Sequence, residues 1–374
     1  MSQETLTPEQ MLSKLVGFDS VVGQPTGPII GFVQEWLAAH GIAVHVLPGP
    51  EGDRSNLFAT IGPADKPGYV LSGHLDVVPA AEPGWKADPF VLRDEGDRLI
   101  GRGACDMKGF VAAALAMVPE LAAMDLKQPV HLALSYDEEA GCQGVPHLLS
   151  ALPELCATPE GAIIGEPSGL VPVLAHKGKA AIRLRARGQA GHSSRPDLGM
   201  NAIHALVPVL EAAIAQAAAL TQGAQDPRFA PPFSSLQIGT VSGGQALNII
   251  PDLAEAEIEV RAIAGADPMT LLGPVVAAAE AAGVEVETIS TYPPLALPTD
   301  HPLAARIADL SDTTPLAAVS YGTEAGLFQA AGIASVVCGP GDIARAHKPE
   351  EYLTRDELQA TCALIRRLGE SLSR

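Results

Sequence analysis

The sequence has little of several features that would point to particular classes of protein. Its five cysteines include no pair at Cys-X-X-Cys spacing, so neither a disulfide framework nor a cysteine zinc site is indicated, and we expect reduced thiols. Lysine and arginine number 24 against 43 aspartate and glutamate residues, and this formal charge of −19 argues against nucleic acid or an anionic membrane as a partner. Charged residues make up only 18% of the chain and hydrophobic residues 47%, so disorder is not expected.

Neither a leader peptide nor a membrane span is predicted. The segment MSQETLTPEQMLSKL has no basic stretch followed by an apolar one, and no uninterrupted apolar run reaches spanning length. We therefore expect a cytoplasmic protein. At 374 residues the chain exceeds the size at which a single core stops growing, so two domains are expected.

Two patterns of strands and helices divide the chain. In residues 1–178 and 290–374, apolar runs such as GYVLSGHLDVV, PVHLALSY and GAIIGEP alternate with helical stretches, which predicts an α/β domain with a mostly parallel sheet flanked by helices. In residues 179–289 the strand-like segments are AIRLRARG, SSLQIGTVSGG, AEAEIEVRAI and GVEVETIS. Two helices are predicted between them, MNAIHALVPVLEAAIAQAAALTQ and DPMTLLGPVVAAAEAAG. We thus predict a smaller α+β domain inserted into the first.

Histidines and acidic residues recur where predicted strands end or helices begin. They are His74 in YVLSGHLDVV, Asp106 in GRGACDMKG, Glu139 in LALSYDEEAG, Glu166 in AIIGEPSG and His347 in VVCGPGDIARAHKPEE. Ligands of open α/β sheets gather beyond the carboxyl ends of the strands, so this edge can bring the side chains together. Two histidines and three carboxylates suit two ions that share a bridging carboxylate better than one tetrahedral ion. Such donors favour zinc, cobalt or manganese.

Each residue also has a purely structural interpretation. The alternatives are a satisfied polar residue for His74, a helix cap for Asp106, a solvated acidic turn for Glu138 and Glu139, a strand-ending carboxylate for Glu166 and a surface loop residue for His347. Asp76 lies two residues beyond His74, on the same face of the strand, and can accept the other ring N–H of that histidine. GRGACDMKG also imitates a dinucleotide-binding loop, but Asp106 stands where the third glycine is required, so a nicotinamide dehydrogenase is disfavoured.

Seven ordered motifs carry a resemblance to a known family. They are GHLDVVP, GRGACDMKG, SYDEEAG, IIGEPS, GHSSRPDLGMNAI, YGTEAG and GPGDIARAHKPEEY. From about residue 14 to about residue 365 the chain resembles the dinuclear metal-dependent amidohydrolases and exopeptidases, peptidase family M20. Because of TEAG at 323–326 it is most similar to the acetylornithine deacetylase branch, whereas the succinyl-diaminopimelate desuccinylases usually carry a Ser-Asp-Gly-Arg-like stretch there.

The resemblance implies a role for each candidate ligand. His74 and Glu166 would bind one ion, Glu139 and His347 the other, and Asp106 would bridge them; two Zn²⁺ ions are expected, with Co²⁺ or Mn²⁺ as alternatives. Glu138 would be the general base, taking a proton from the attacking water and passing it to the leaving amine. A cis peptide bond is expected at Asp106–Met107. Cys105 and Cys142 lie beside ligand segments, but we interpret them as small buried residues.

The inserted domain would contribute further residues to the site. The resemblance implies a homodimer in which His192 reaches the partner's active site and stabilises the oxyanion, while Asn248 and Arg261 contact the substrate carboxylate. Glu324 would face a cationic substrate side chain. The structural alternatives are a turn with capping serines around His192, an ion pair with a neighbouring strand for Arg261 and a helix N-terminal position for Glu324.

The expected reaction is hydrolysis of the amide of a small N-acyl-L-amino acid, and N2-acetyl-L-ornithine is the first candidate for the substrate. Succinyl-diaminopimelate desuccinylation, deacylation of another N-acyl amino acid, and dipeptidase or carboxypeptidase activity use the same metal core and remain alternatives. A non-catalytic dimeric relative is disfavoured, because such a protein is expected to lose ligands or the base, and this chain keeps them.

Overall fold

The computed structural model describes residues 5–374, which form two compact units. The first unit runs to Leu174 and resumes at Leu297–Ala317 and Thr323–Arg374. The second unit consists of Ala175–Ala296 and Ala318–Gly322. The α/β fold with a mostly parallel sheet is confirmed. The catalytic and dimerisation roles expected of the two parts stay predictions.

The first unit alternates helices and strands along the chain, as the apolar runs predict. Before the second unit its elements are α1 (Pro8–Val16), α2 (Gly27–Ala39), β1 (Val44–Pro48), β2 (Ser55–Ile61), β3 (Tyr69–His74), β4 (Arg93–Glu95), β5 (Arg98–Ile100), α3 (Lys108–Ala116), α4 (Val118–Ala123), β6 (Val130–Ser135), α5 (Val145–Leu155) and β7 (Gly161–Pro167). Helices α3 and α4 follow each other directly and meet at Met117, because Pro119 has no N–H to continue the hydrogen-bond ladder of α3.

The second unit is built on a four-stranded sheet. Its elements are β8 (Ala175–His176), β9 (Gly178–Arg187), α6 (Ala202–Thr221), β10 (Ser235–Gly243), β11 (Leu253–Ala262), α7 (Pro268–Leu271), α8 (Gly273–Ala282), β12 (Glu285–Tyr292) and β13 (Leu295–Ala296). The chain then completes the first unit with α9 (Pro302–Ser311), α10 (Ala325–Ala330), β14 (Ser335–Gly339), β15 (Tyr352–Thr354) and α11 (Arg355–Leu372). Two short 3-10 helices lie at Pro196–Leu198 and Ile343–Arg345.

The main sheet of the first unit places its parallel strands side by side. The strand order is β1-β2-β6-β3-β7-β14, in which β6, β3, β7 and β14 are parallel neighbours and β2 runs antiparallel to both β1 and β6. Every residue of β3, β6, β7 and β14 is buried, which explains why these strands read as continuous apolar runs. Helix α3 packs on β3 and β7, and α1 and α11 pack on α3. The carboxyl ends of these parallel strands therefore share one edge.

The sheet of the second unit, in the order β10-β11-β9-β12, is antiparallel. The inward positions of β9, among them Ile182 and Leu184, join the core formed with α6 and α8. The intervening residues Arg183 and Arg185 pair with Glu257 and Glu255 of β11 on the other face. The strict alternation in AIRLRARG therefore marks a sheet that is covered on one face only.

One predicted helix of the second unit is wrong in its extent. DPMTLLGPVVAAAEAAG forms two helices, α7 and α8, which meet at Leu272. Pro274, at the start of α8, lacks an N–H, and its ring would clash with the carbonyl group one turn earlier in a continuous helix. Asp267 caps α7 through its side chain, and Gly283 ends α8 with a φ of 66°.

Helix α6 is, by length and composition alone, apolar enough to cross a membrane. Such a helix is weak evidence for a membrane protein. Leu206, Val209 and Ala213 of α6 are buried in the core of the second unit, while Val207 and Ile214 are exposed. Packing on the sheet of the second unit accounts for the buried side of this helix.

Candidate metal centre

Residues of the first unit bring the predicted ligands to the edge where the parallel strands end. His74 is the last residue of β3, and Glu166 lies near the end of the neighbouring strand β7. Glu139 follows β6, His347 follows β14, and Asp106 precedes α3. The peptide Asp106–Met107 is cis, as expected from the resemblance. The N-cap of α3 is Met107, so Asp106 is not the helix cap that was the alternative interpretation.

The two carboxylate oxygens of Asp106 face two different histidines. Oδ1 lies 3.2 Å from Nε2 of His74, and Oδ2 lies 3.2 Å from Nε2 of His347. Each histidine has a second carboxylate beside it: Glu166 lies 3.6 Å from His74, and Glu139 lies 3.0 Å from His347. Asp106 thus stands between two His-Glu pairs.

The ring of His74 is oriented by a backbone group. Its Nδ1–H donates to the carbonyl oxygen of Asp76 at 2.9 Å, while the Asp76 carboxylate is 3.6 Å away. The predicted partner residue is right, but the accepting atom is its carbonyl oxygen. Because a carbonyl can only accept, Nδ1 keeps its proton and Nε2 is the nitrogen that can bind an ion.

The carboxylate of Asp76 has a further role that the sequence did not indicate. Its two oxygens accept the backbone N–H groups of Glu138 and Glu139 at 3.2 and 3.1 Å. Burial raises the pKa of Asp76 to about 6. Asp76 therefore holds the turn that carries both adjacent glutamates.

The side chains of the site shift one another's pKa values. Hydrogen bonds to Asp106 and Glu139 raise the pKa of His347 to about 10. Burial alone would lower the pKa of His74, but its hydrogen bond to Asp106 and the charges of Asp76 and Glu166 outweigh burial and raise that pKa well above its usual value. Burial likewise opposes the charge of Asp106, but the hydrogen bonds of His347 and His74 lower its pKa.

Glu138 is buried beside this group. Burial, partly opposed by the charge of His74, raises its pKa to about 8. One oxygen accepts a weak hydrogen bond from the Cys142 thiol at 3.2 Å. Burial raises the pKa of both Cys142 and Cys105, so each stays a thiol. The turn after β6 is therefore not the solvated acidic turn that was the alternative.

The same turn is fastened by a residue that sequence reasoning missed. Asp137 has a φ of 50°, a left-handed conformation, and its Oδ1 accepts the N–H of Gly23 at 2.8 Å. Its other oxygen pairs with Arg54. Asp137 belongs to the SYDEEAG motif, but nothing in the local sequence indicates partners so distant along the chain.

Glu324 is engaged within the protein. One carboxylate oxygen accepts the hydroxyl of Ser72 at 2.6 Å and the other accepts the hydroxyl of Ser135 at 2.8 Å, and the residue is 1% exposed. Glu324 precedes α10, but its side chain does not cap that helix. This arrangement does not favour the predicted contact with a cationic substrate, which stays a prediction.

His192 and Asn248 lie together on the surface of the second unit. Both are exposed, and the N–H of Ser193 donates to the carbonyl oxygen of Asn248 at 3.1 Å. The N–H of Ser194 donates to Nδ1 of His192 at 3.2 Å, so the neutral ring carries its proton on Nε2. The N-cap of α6 is Asn201, so the serines of this motif do not cap that helix.

Arg261 lies on β11 and is already paired. Its Nε donates to Glu259 on the same strand at 2.6 Å, and its Nη1 donates to the Tyr292 hydroxyl at 3.2 Å. The partner acid is on the same strand, not on a neighbouring strand as the alternative expected. The fork of donors on the guanidinium leaves further capacity for a carboxylate.

The donors of the first unit fit divalent ions by their chemistry. Groups able to hold an ion are His74, Asp106 and Glu139, and also His74, Glu138 and Glu166, with donor atoms within 4.8 Å of one another in each group. Among the described residues, the recorded ion pairs of Asp106, Glu139 and Glu166 are with histidines only. Buried carboxylates without a lysine or arginine partner need either protons or metal ions. Nitrogen and oxygen donors suit zinc, cobalt and manganese.

Comparison with known proteins identifies relatives of this chain. The chain is 32% identical to acetylornithine deacetylase of Proteus mirabilis (strain HI4320) over 361 residues, covering 94% of this chain and 92% of that one. It is 33% identical to acetylornithine deacetylase of Yersinia pseudotuberculosis serotype O:1b over 362 residues, with the same two coverages of 94% and 92%.

Solved structures show the same fold. An M20 family metallo-carboxypeptidase from Sulfolobus solfataricus is similar with a TM-score of 0.80 at 18% identity, covering 98% of this chain and 100% of that one. Human carnosine dipeptidase 1 is similar with a TM-score of 0.72 at 18% identity, covering 98% and 96% of the two chains. The Bacillus subtilis YXEP protein, described as a dinuclear metal binding peptidase, has a TM-score of 0.60 at 17% identity and covers 97% of each chain. The pattern described as Peptidase family M20/M25/M40 matches residues 70–371, and the chain is thus a metallo-hydrolase that belongs to the M20 peptidase family.

Proposed function

We propose that this protein is a two-metal hydrolase that cleaves N2-acetyl-L-ornithine to L-ornithine and acetate. The observation that carries the reaction class is Asp106, whose two oxygens face His74 and His347 separately. The choice of substrate is supported by the acetylornithine deacetylases to which the chain is 32% and 33% identical. Membership of the M20 family does not by itself identify this substrate.

The proposed ligands divide into two sets. His74 with Glu166 would hold one ion and His347 with Glu139 the other, while Asp106 would serve both. Zn²⁺ is the expected ion, with Co²⁺ or Mn²⁺ as alternatives. When bound, such ions polarise an acyl oxygen and lower the pKa of a water molecule toward neutrality.

Glu138 is the proposed proton carrier. It is buried, its pKa is raised to about 8, and the Cys142 thiol and the turn held by Asp76 restrict its position. A carboxylate in this position can take the proton from the attacking water and deliver it to the nitrogen of the leaving amine. The reaction breaks the C–N bond, and the two products are a carboxylate and a protonated amine.

The second unit is proposed to supply the oxyanion donor and the substrate contacts. Nε2–H of His192 is exposed and available to donate to the developing oxyanion in the active site of a partner subunit. Asn248, exposed beside it, and the guanidinium of Arg261 are proposed to bind the substrate carboxylate. A homodimer follows from this assignment.

The surface of the second unit supports such a homodimer. Several outward residues of α6 are apolar, among them Ile214, which is 63% exposed, and Val207, which is 42% exposed. Strand β10 is an edge of its sheet, and its Val241 is 57% exposed. An apolar helix face beside an unpaired strand edge is a surface that a second copy can cover. Ile214→Glu is expected to shift a dimer toward monomer in sedimentation velocity, and a dimer unchanged by this variant would move the interface elsewhere.

The substrate is tested by measuring amine release from a panel. Metal-free protein and protein reconstituted with Zn²⁺ or Co²⁺ are compared on N2-acetyl-L-ornithine, N-succinyl-diaminopimelate, other N-acetyl amino acids and dipeptides. A metal-dependent preference in kcat/KM for N2-acetyl-L-ornithine is expected. Preference for another member of the panel would keep the reaction class and replace the substrate, and no metal-dependent hydrolysis of any member would overturn the proposal.

A further inference from the structure

A buried carboxylate outside the predicted site joins two of its segments. Glu351 lies between His347 and β15, in the chain segment that carries one candidate ligand. It is 1% exposed, and its side chain reaches the loop before α3 that carries Asp106. Glu351 is neither a proposed metal ligand nor the proposed base.

One oxygen of Glu351 holds the backbone of the Asp106 loop. Oε1 accepts the N–H of Cys105 at 2.9 Å and the N–H of Asp106 itself at 3.0 Å. The carbonyl group of Glu351 accepts the N–H of Gly101 at 2.9 Å as well. Both ends of the loop are therefore attached to a single residue.

The other oxygen is held by a buried arginine. Oε2 accepts from Nη1 of Arg102 at 2.8 Å, and Arg102 is also 1% exposed. The second terminal nitrogen of Arg102 donates to the carbonyl oxygen of Pro79 at 3.2 Å and pairs with Glu82, and the guanidinium lies 5.2 Å from the ring centroid of Trp85. These contacts restrict the orientation of the Arg102 guanidinium and, through it, that of the Glu351 carboxylate.

The loop of Asp106 and the segment that leads to His347 also lie close together beside the contact of Glu351 with Cys105 and Asp106. The Cys105 thiol lies 3.5 Å from the carbonyl oxygen of Asp342, and a Cβ on Gly341 would lie 2.5 Å from the Cys105 sulfur. Gly341 has a φ of 82°, which also favours glycine. A residue with a Cβ at this position would have to displace the Cys105 sulfur, so the loop of Asp106 and the segment that leads to His347 are in close contact here.

We propose that Glu351 is a positioning residue for the metal centre. Its carboxylate fixes the Cys105–Asp106 peptide relative to the segment of His347, and this keeps the two oxygens of Asp106 directed to the two histidines. The inference rests on the proposed ligand set. It parallels the contact of Asp76 with the N–H groups of Glu138 and Glu139, so each of two ligand-bearing turns is held by one buried carboxylate.

Two variants test Glu351 directly. Glu351→Gln keeps the size of the side chain, but its amide NH₂ must face either Arg102 or the two backbone N–H groups, donor against donor. Glu351→Asp keeps the charge opposite Arg102 but is one methylene too short to reach both sets of partners. We expect both variants to lose affinity for metal ions by roughly 10–100-fold, which is usual for residues that orient ligands.

Glu350→Gln is the matched control. Glu350 is the neighbouring residue, but it pairs with Arg93 and accepts the N–H of Lys86 at 3.0 Å, away from the Asp106 loop. The measurement is a titration of metal-free protein with Co²⁺, followed by calorimetry for affinity and by the visible absorption of bound Co²⁺ for ligand geometry. Unfolding temperatures of the metal-free proteins are measured in parallel.

The expected result is weaker Co²⁺ binding and an altered absorption spectrum in both Glu351 variants, with wild-type values for Glu350→Gln. Wild-type affinity and spectrum in the Glu351 variants, with only a lower unfolding temperature, would show that Glu351 stabilises the fold without positioning Asp106. If Glu351→Gln does not fold, Glu351→Asp decides. Wild-type protein that binds fewer than two Co²⁺ ions would instead overturn the proposed ligand set, and the inference with it.

Discussion

The candidate metal centre of the first unit and the charged sheet face of the second unit use the same kinds of side chain in opposite ways. Around Asp106, acidic groups are buried, and each has specific donors such as backbone N–H groups, histidines or hydroxyls. On the outer face of the second sheet, Arg183 and Arg185 pair with glutamates while remaining about one third exposed. Removing a donor from a buried acid is costly, whereas an exposed pair can be replaced by water. We therefore expect substitutions of the buried acids in the first unit to have large effects, and substitutions on the charged face of the second sheet to have small ones.

The largest effect is expected from Glu138→Gln. If Glu138 carries the proton, kcat should fall by roughly 10²–10⁴-fold, because general acid–base catalysis contributes about that much. Two metal ions per subunit should remain, as measured by atomic absorption after dialysis.

The contrasting variant is Glu139→Gln. It should lose metal as well as activity, because Glu139 lies beside His347 and is proposed to bind the same ion. Loss of metal in Glu138→Gln would make Glu138 a ligand, as its grouping with His74 and Glu166 also allows. Near-normal turnover would remove it from both roles.

His192→Ala is expected to lower kcat by about 10²–10³-fold, the usual effect of removing an oxyanion donor, with metal content unchanged. Because His192 is exposed and contributes nothing to the core, the unfolding temperature should stay at the wild-type value. Mixing subunits of His192→Ala and Glu138→Gln should restore about a quarter of the wild-type activity, since half of randomly assorted dimers have one intact site. No restoration would place His192 in its own subunit's site or outside catalysis.

Asp76→Asn is expected to weaken metal binding by roughly 10–100-fold, through the turn that it holds. The amide keeps one acceptor for the N–H groups of Glu138 and Glu139 but presents a donor to the other. Calorimetric titration with Zn²⁺ measures the loss. Asp125→Asn, an exposed acid paired with Lys127, is the control and should bind as the wild type does. Equal affinities in both variants would contradict the role of Asp76.

The affinity for metal should rise with pH. The pKa of His347, a proposed ligand, is raised to about 10, so this ligand is protonated near neutrality when no ion is bound. Ligands must lose their protons to bind an ion, so binding should release protons, which calorimetry in buffers of different ionisation enthalpy counts.

The stability of the metal-free protein should change in the opposite direction. Groups with raised pKa values bind more protons in the folded than in the unfolded chain, so their contribution is fully present below their ordinary pKa values of 4.5 and 6.5. It is lost as the pH rises from there to about 8 for Glu138 and to about 10 for His347. Urea unfolding of metal-free protein across this range measures it. A metal affinity that does not depend on pH would contradict the protonated state of the site.

The smallest effect is expected from Arg183→Ala on the sheet of the second unit. Its pairs with Glu257 and Glu287 are exposed, so the urea midpoint should change little at low salt and not at all at high salt. A large loss of stability would mean that this face is covered in the native assembly.

Much of the fold was predictable because its signals are local. The apolar run in YVLSGHLDVV became β3 (Tyr69–His74), and the alternation in AIRLRARG became the one-sided strand β9 (Gly178–Arg187). The error in the second helix of residues 179–289 has a local cause as well, since Pro274 interrupts it. The candidate ligands were predictable because each of them stands in a motif of the family.

The supporting contacts were not predictable in this way. Ser72 and Ser135 sit on strands far from Glu324 in the chain, and nothing near Glu324 indicates that two hydroxyls occupy its carboxylate. Which atom of Asp76 accepts the ring N–H of His74 was not predictable, for the same reason. Whether a carbonyl or a carboxylate is nearer depends on how the chain turns after β3, and not on residue spacing alone.

The sequence by itself determined the strands, most helices and the residue types of the candidate site, since periodicity and donor chemistry are properties of short segments. Only the tertiary structure decided that the two oxygens of Asp106 face different histidines and that Glu351 holds the Asp106 loop. Residues 106 and 351 are separated by most of the chain, and such a pairing follows from the packing of whole elements. A buried carboxylate must find donors wherever the fold places them, and no local pattern records where that is.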